Sequence, residues 1–154
     1  MKRINSNIEF SSDFIIGYPG ENDDDFKKTI ELVEKINFIN SYSFIFSPRP
    51  GTVAADLDLV DKKKSKERLE IIQKTLFQKQ VKRNRSLVST IVNVLVENRM
   101  KNEIKLFGRT EYMTPVIFDG ALENIGKVVQ VEIIRANQNS LFGKLKESYK
   151  KKVA

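Results

Sequence analysis

The chain has 154 residues, 27 Lys+Arg against 20 Asp+Glu, and no Cys, His or Trp. Those zeros exclude a thiol nucleophile, a Ser-His-Asp triad, a zinc site with Cys or His ligands, an iron–sulfur cluster held by this chain's own thiolates, and any disulfide. What remains for chemistry is carboxylate, Lys, Arg, Tyr, hydroxyl and backbone, or an oxygen-ligated metal.

Residues 8–17, Ile-Glu-Phe-Ser-Ser-Asp-Phe-Ile-Ile-Gly, form a short apolar, β-branched run closed by glycine, which suits a buried strand. Tyr18-Pro19-Gly20 breaks it. Asn22 then precedes Asp23-Asp24-Asp25 and an apolar face at Phe26, Ile30, Val33 and Ile36, which predicts a helix with Asn22 as its N-cap and acids favouring the dipole. Tyr42-Ser43-Phe44-Ile45-Phe46 reads as a second strand and Ser47-Pro48-Arg49-Pro50-Gly51-Thr52 as a loop. Strand, helix and strand in this order predict a βαβ unit, with parallel strands and a right-handed crossover. Such a pair needs neighbours on both edges and cover on both faces, so residues 1–60 read as the last piece of a larger α/β sheet or barrel.

Residues 61–88 hold no Pro or Gly, and Leu69, Ile72, Leu76, Phe77 and Val81 give a basic amphipathic helix, taken as a connector. From residue 89 the pattern turns β: Ile91–Val96, Lys105–Thr110, Val116–Phe118, Val128–Ile134 and Leu141–Leu145, separated by turn-rich stretches. Five short strands over 89–147 predict a small closed OB-like barrel, followed by a basic tail, 148–154. The fold class is therefore α/β followed by all-β. No apolar run nears the roughly 20 residues that span a bilayer, and no signal-type apolar core follows Met1-Lys2-Arg3, which predicts a cytoplasmic protein without a membrane partner.

Charge divides the chain. Residues 1–60 hold six Lys+Arg and ten Asp+Glu, whereas 61–154 hold 21 and ten. A basic second part points to a polyanion such as nucleic acid, or else to a solvated Lys-rich surface. Within it, Arg109, Tyr112, Lys127, Phe142 and Lys144 are the candidate RNA contacts, since aromatics interleaved with cations stack bases and meet phosphates. Phe118 belongs to the same pattern, and for each ring a place in the barrel core is the favoured reading. Asp13, Gly17, Gly20 and Glu21 stand at the carboxyl end of the first strand, where α/β folds bind ligands; a tight strand-to-helix turn would use the same residues. The spacing is neither that of a Walker loop nor of a dinucleotide fingerprint. Arg49, beyond the second strand, could hold an anion or simply line an exit loop. Asp23-Asp24-Asp25 suits helix capping better than metal binding, because consecutive helical positions diverge.

Four co-linear stretches carry a resemblance: Ser11-Ser12-Asp13-Phe14-Ile15-Ile16-Gly17-Tyr18-Pro19-Gly20-Glu21, Tyr42 to Thr52, Leu106-Phe107-Gly108-Arg109-Thr110, and Asn139-Ser140-Leu141-Phe142-Gly143. Together they resemble the carboxyl-terminal half of the radical-SAM tRNA methylthiotransferases, in the subgroup that modifies isopentenylated adenosine next to the anticodon. That family is similar in having two 4Fe-4S clusters on cysteine triplets, a (β/α) barrel that holds S-adenosylmethionine, and a TRAM domain that binds tRNA. The resemblance implies that residues 1–60 are the end of the radical-SAM barrel and 89–147 the TRAM domain. It also implies that Asp13, Gly17, Gly20 and Glu21 line the adenosylmethionine and substrate cavity, with Arg49 at its rim facing tRNA. The sequence departs from the family in lacking both cysteine triplets. It is thus expected to be inactive alone, as a carboxyl-terminal fragment. Two alternatives are a stand-alone RNA-binding module and one subunit of a split enzyme completed by a separate cysteine-bearing chain.

Overall fold

A computed structural model of the chain describes residues 1, 3–101 and 105–146. The chain divides into two compact units, Met1–Gln80 and Val81–Ala154. The basic tail, 148–154, lies outside the described residues.

In the first unit β1 (Asp13–Ile16) and β2 (Tyr42–Ile45) flank α1 (Asp23–Lys35). The two strands pair in parallel, with Asp13 opposite Tyr42 and Ile16 opposite Ile45. β1 is shorter than the run 8–17 suggested; upstream of it Phe10 makes only an isolated parallel bridge to Phe38. The start of α1 is fixed by a capping box: the Asn22 side chain accepts from the Asp25 amide, and the Asp25 side chain accepts from the Asn22 amide. Ile36, expected on the helical face, is the extended C-cap.

α2 (Lys62–Ser86) does more than connect. Its Ile72 is fully buried with Phe14, Ile16 and Val33, and Leu69 and Leu76 pack beside it. Alternation explains the sheet's two faces: Phe14 and Ile16 enter this core, while Asp13 and Ile15 point the other way, beside Tyr42 and Phe44. Ile15, Tyr42 and Phe44 are 57%, 63% and 55% exposed, an uncovered apolar face. The division between units falls at residues 80 and 81, inside α2 and not at either of its ends.

The second unit is a closed five-stranded barrel of β3 (Ile91–Arg99), β4 (Lys105–Thr110), β5 (Pro115–Asp119), β6 (Val128–Ala136) and β7 (Leu141–Leu145), in the ring order β3-β4-β5-β7-β6. All neighbours are antiparallel except β5 and β7. Val94, Val96, Leu106, Val116, Phe118, Val131, Ile133 and Leu141 fill the interior, each at most 1% exposed. Gly143 belongs to the same lining, and a Cβ there would collide with the Val131 side chain and the Glu132 carbonyl. The close approach is what requires glycine. Asn84, fully buried near the end of α2, donates through Nδ2 to the carbonyls of Asn137 (2.9 Å) and Gln138 (2.8 Å), tying the helix end to the β6–β7 turn.

Candidate functional site

The strand-end residues of the first unit form a tightly bonded turn. Gly17 takes φ +72°, and a Cβ there would strike the Ser65 hydroxyl of α2, so both backbone and packing need glycine. The Gly17 amide donates to Glu21 Oε2 at 3.1 Å. Arg68, 3% exposed, donates through Nη1 to Glu21 Oε1 at 2.5 Å and to the Glu21 carbonyl at 3.2 Å, and through Nη2 to Asp23 Oδ1 at 2.6 Å. Its guanidinium lies 5.4 Å from the Phe26 ring centre. Lys64 reaches Asp23 as well, at 2.8 Å. This bonding answers the charge conflict at the start of α2, where Lys64 stands against the helix dipole.

The electrostatics follow from these contacts. Hydrogen bonds from Lys64 and then Arg68 hold the Asp23 carboxyl below its ordinary 3.8. Burial alone would lower the Arg68 guanidinium, but its bonds to Asp23 and Glu21 outweigh that and keep it above its ordinary value. Glu21 and Gly17 are therefore committed to the fold. Asp13 is exposed on the uncovered sheet face, and around Gly20 (φ +86°) nothing would meet a Cβ within 4 Å. Arg49 is exposed in the turn after β2, its carbonyl accepting from the Thr52 amide and hydroxyl. Asp23 and Asp25 serve ion pairing and capping, and among the described residues no group of three His, Cys, Asp or Glu side chains could hold a metal ion.

On the barrel the candidates are spread out. Arg109 Nη1 donates to both oxygens of Glu97, at 2.8 and 3.0 Å, and its guanidinium stands 5.4 Å from the centre of Phe107. Phe142 is half-buried, with the Arg135 guanidinium 3.9 Å from its ring centre. Lys144 is exposed between two carboxylate-bearing positions, opposite Asp119 on β5 and Glu132 on β6. Tyr112, in the β4–β5 turn, lies under Arg83, which donates to Thr114 at 3.1 Å. Lys127 is exposed just before β6, about 26 Å along that strand from Arg135 at 3.3 Å per residue. Phe118 takes the core position favoured for it. Arg135, Phe107 and Arg83 were absent from the sequence candidates; aromatic positions alternating with inward residues were the available signal for Phe107 alone.

No helix among the described residues is long and apolar enough to cross a membrane. Residues 85–146 match the TRAM domain family. The chain is 74% identical, over all of its 154 residues, to the tRNA-2-methylthio-N(6)-dimethylallyladenosine synthase of Pelagibacter ubique (strain HTCC1062), covering 34% of that protein. Synthases of the same name from Yersinia pestis (strain Pestoides F) and Ruthia magnifica are 46% and 44% identical over 93% and 94% of the chain, which covers 31% and 33% of their lengths. The chain thus spans about a third of the curated relatives it matches. It carries a TRAM domain and is homologous, over its whole length, to the carboxyl-terminal third of the tRNA-2-methylthio-N(6)-dimethylallyladenosine synthases.

Proposed function

We propose that this chain acts as the tRNA-holding end of a methylthiotransferase that adds a methylthio group to isopentenylated adenosine beside the anticodon. The observation that carries this reading is unbroken similarity along the whole chain to one kind of synthase, with the TRAM match within it. The barrel binds tRNA, and residues 1–60 complete a radical-SAM (β/α) barrel. Two features support the second part: β1 and β2 are parallel, and one face of the pair is apolar and uncovered. The excess of cations after residue 60, most of it on α2 and in the tail, supports tRNA binding by the chain.

S-adenosylmethionine and 4Fe-4S clusters belong to this reading through the family. A cluster does not fit the residues present, because its thiolate ligands have no counterpart in a chain without Cys. The chain by itself is therefore expected to give no methylthiotransferase turnover, its cluster ligands coming from elsewhere, such as a separate cysteine-bearing chain. With Gly17 and Glu21 engaged in the turn, Asp13 and the backbone at Gly20 are the cavity groups left for adenosylmethionine, and Arg49 is the rim cation for tRNA.

Binding of the full chain to tRNA tests the reading. Six phosphate contacts would weaken affinity about a thousandfold between roughly 50 and 200 mM salt. Absent or salt-independent binding refutes it. The barrel's closed sheet and separate core favour a second reading, a stand-alone RNA-binding module. Turnover on adding a cysteine-bearing partner chain would decide for the enzyme, and unaided tRNA binding without any such rescue for the module.

A further inference from the structure

The outer wall of the barrel carries a row of side chains in register across four strands. Phe107 on β4 is opposite Ile117 on β5, Ile117 is opposite Phe142 on β7, and Phe142 is opposite Arg135 on β6. Paired residues share a face. Their chain neighbours Leu106, Val116, Phe118 and Leu141 fill the interior, so the row faces outward, and Phe107, Ile117 and Phe142 are each half-buried. With strands about 4.8 Å apart, the row runs about 14 Å from Phe107 to Arg135.

A β-bulge builds its far end. Ile133 pairs with Gly143 and Arg135 with Phe142, leaving Ile134 as an extra residue. Strict alternation from the buried Ile133 would turn Arg135 into the apolar interior. The bulge shifts the phase, so that Arg135 faces out over Phe142. At 3.9 Å from the ring centre its guanidinium is in van der Waals contact with the aromatic face. Arg109, at the other end, is matched by both oxygens of Glu97, whereas Arg135 makes no ion pair among the described residues.

The neighbouring outward row alternates in sign: Lys105, Asp119, Lys144 and Glu132 are opposite one another across the same four strands. Cations there stand beside carboxylates, so this wall offers little net field to a phosphate backbone, and what it does offer is planar surface. We infer that the Phe107–Ile117–Phe142–Arg135 row is a stacking platform for unpaired nucleotides of RNA, with the Arg135 guanidinium as the plane on which a base lies and Phe142 supporting it from beneath. The inference rests on the RNA-binding reading and sharpens it. A base within a duplex has both faces covered by its neighbours, so a platform of this kind selects single-stranded segments and is tolerant of base identity.

The test uses the full chain with two fluorescent probes, an unstructured oligouridine and a blunt RNA hairpin closed by a non-nucleotide linker, so that every base is paired, with the same number of phosphates. Arg135→Lys keeps the charge and removes the plane; Phe142→Leu keeps apolar bulk and removes the ring. Each is expected to weaken oligouridine binding about tenfold, the loss of one stacked base, with the salt dependence and the hairpin affinity unchanged. Wild-type levels of oligouridine binding in Arg135→Lys, or an equal loss on the hairpin, overturn the platform and leave RNA binding standing. Failure of the wild-type chain to bind either RNA removes the RNA-binding reading and the platform with it. Should Phe142→Leu lose amide protection in the barrel, Arg135→Lys, on an exposed side chain, decides alone.

Discussion

Replacing Arg68 by Met should destabilise the first unit and leave the barrel untouched. Arg68 is 3% exposed, and its partner Glu21 has a side chain only 11% exposed, so the change strands a carboxylate with little access to water. Removing one member of a buried ion pair costs about 3–5 kcal/mol. The Asp23 link adds little to that, since the Asp23 side chain is 76% exposed and its charge is screened. Methionine retains part of the packing over Phe26, so the lower end, about 3 kcal/mol, is the expected loss. Hydrogen exchange read by mass spectrometry reports each unit separately. Amides of β1, α1 and the Ile72 region should exchange about a hundredfold faster, and those of β3 to β7 at the wild-type rate. Adding Glu21→Gln to Arg68→Met should restore part of the loss, because the stranded charge disappears. If the single variant keeps wild-type protection around Ile16 and Val33, or if the double variant is worse than the sum of its parts, Arg68 is not the hub described.

Asn84→Asp exchanges the amide that donates to the Asn137 and Gln138 carbonyls for a carboxylate that repels them, and should cost the barrel about 1–3 kcal/mol in urea unfolding; an unchanged midpoint would mean the helix end is not held there. Because the folded-state Asp23 carboxyl is held below 3.8, its contribution to stability is complete above that value and disappears as pH falls through the lower folded value. Asp23→Asn should remove that part of the first unit's acid sensitivity, and an identical acid profile in both proteins would refute the assignment. Phe44→Ser, on the uncovered face of the β1–β2 pair, should reduce concentration-dependent association of the full chain in sedimentation velocity; wild-type protein that stays monomeric at high concentration would show that the face needs no cover.

Elements whose residues act on their immediate neighbours were legible. Asn22 is the N-cap its place before the acids suggested, and the five strand signals of the second unit each became a strand of the barrel. Local chemistry does not say what a long helix packs against, and so α2 read as a connector although Ile72 is buried with Phe14 and Val33, more than 30 positions away in sequence. The same limit applies at the strand end. Glycine and a carboxylate after a parallel strand suit a ligand and a tight turn equally well. The choice depends on Arg68, about 50 residues downstream, whose position in the sequence carries no sign of its partner Glu21.

Arg135 shows the converse problem, in which the periodic signal is present and misleading. Val131 and Ile133 set an alternation that, continued, assigns Arg135 to the barrel interior, an unreasonable place for an isolated cation. Two arrangements avoid that contradiction: the strand ends at Ile134, as the apolar run suggests, or one residue is inserted into the ladder. The chain does the second, and by doing so it extends β6 to Ala136 and brings a guanidinium onto the ring of Phe142. The bulge therefore serves two needs at once. It keeps a charge out of the core, which burial alone would demand, and it lays that charge on an aromatic row, a contact that stabilises only modestly at an exposed site. Ending the strand early would have met the first need and left Phe142 uncovered. That difference is why the row is read as built for a ligand, and why Arg135→Lys, which satisfies the core equally well, is the substitution that isolates the second need.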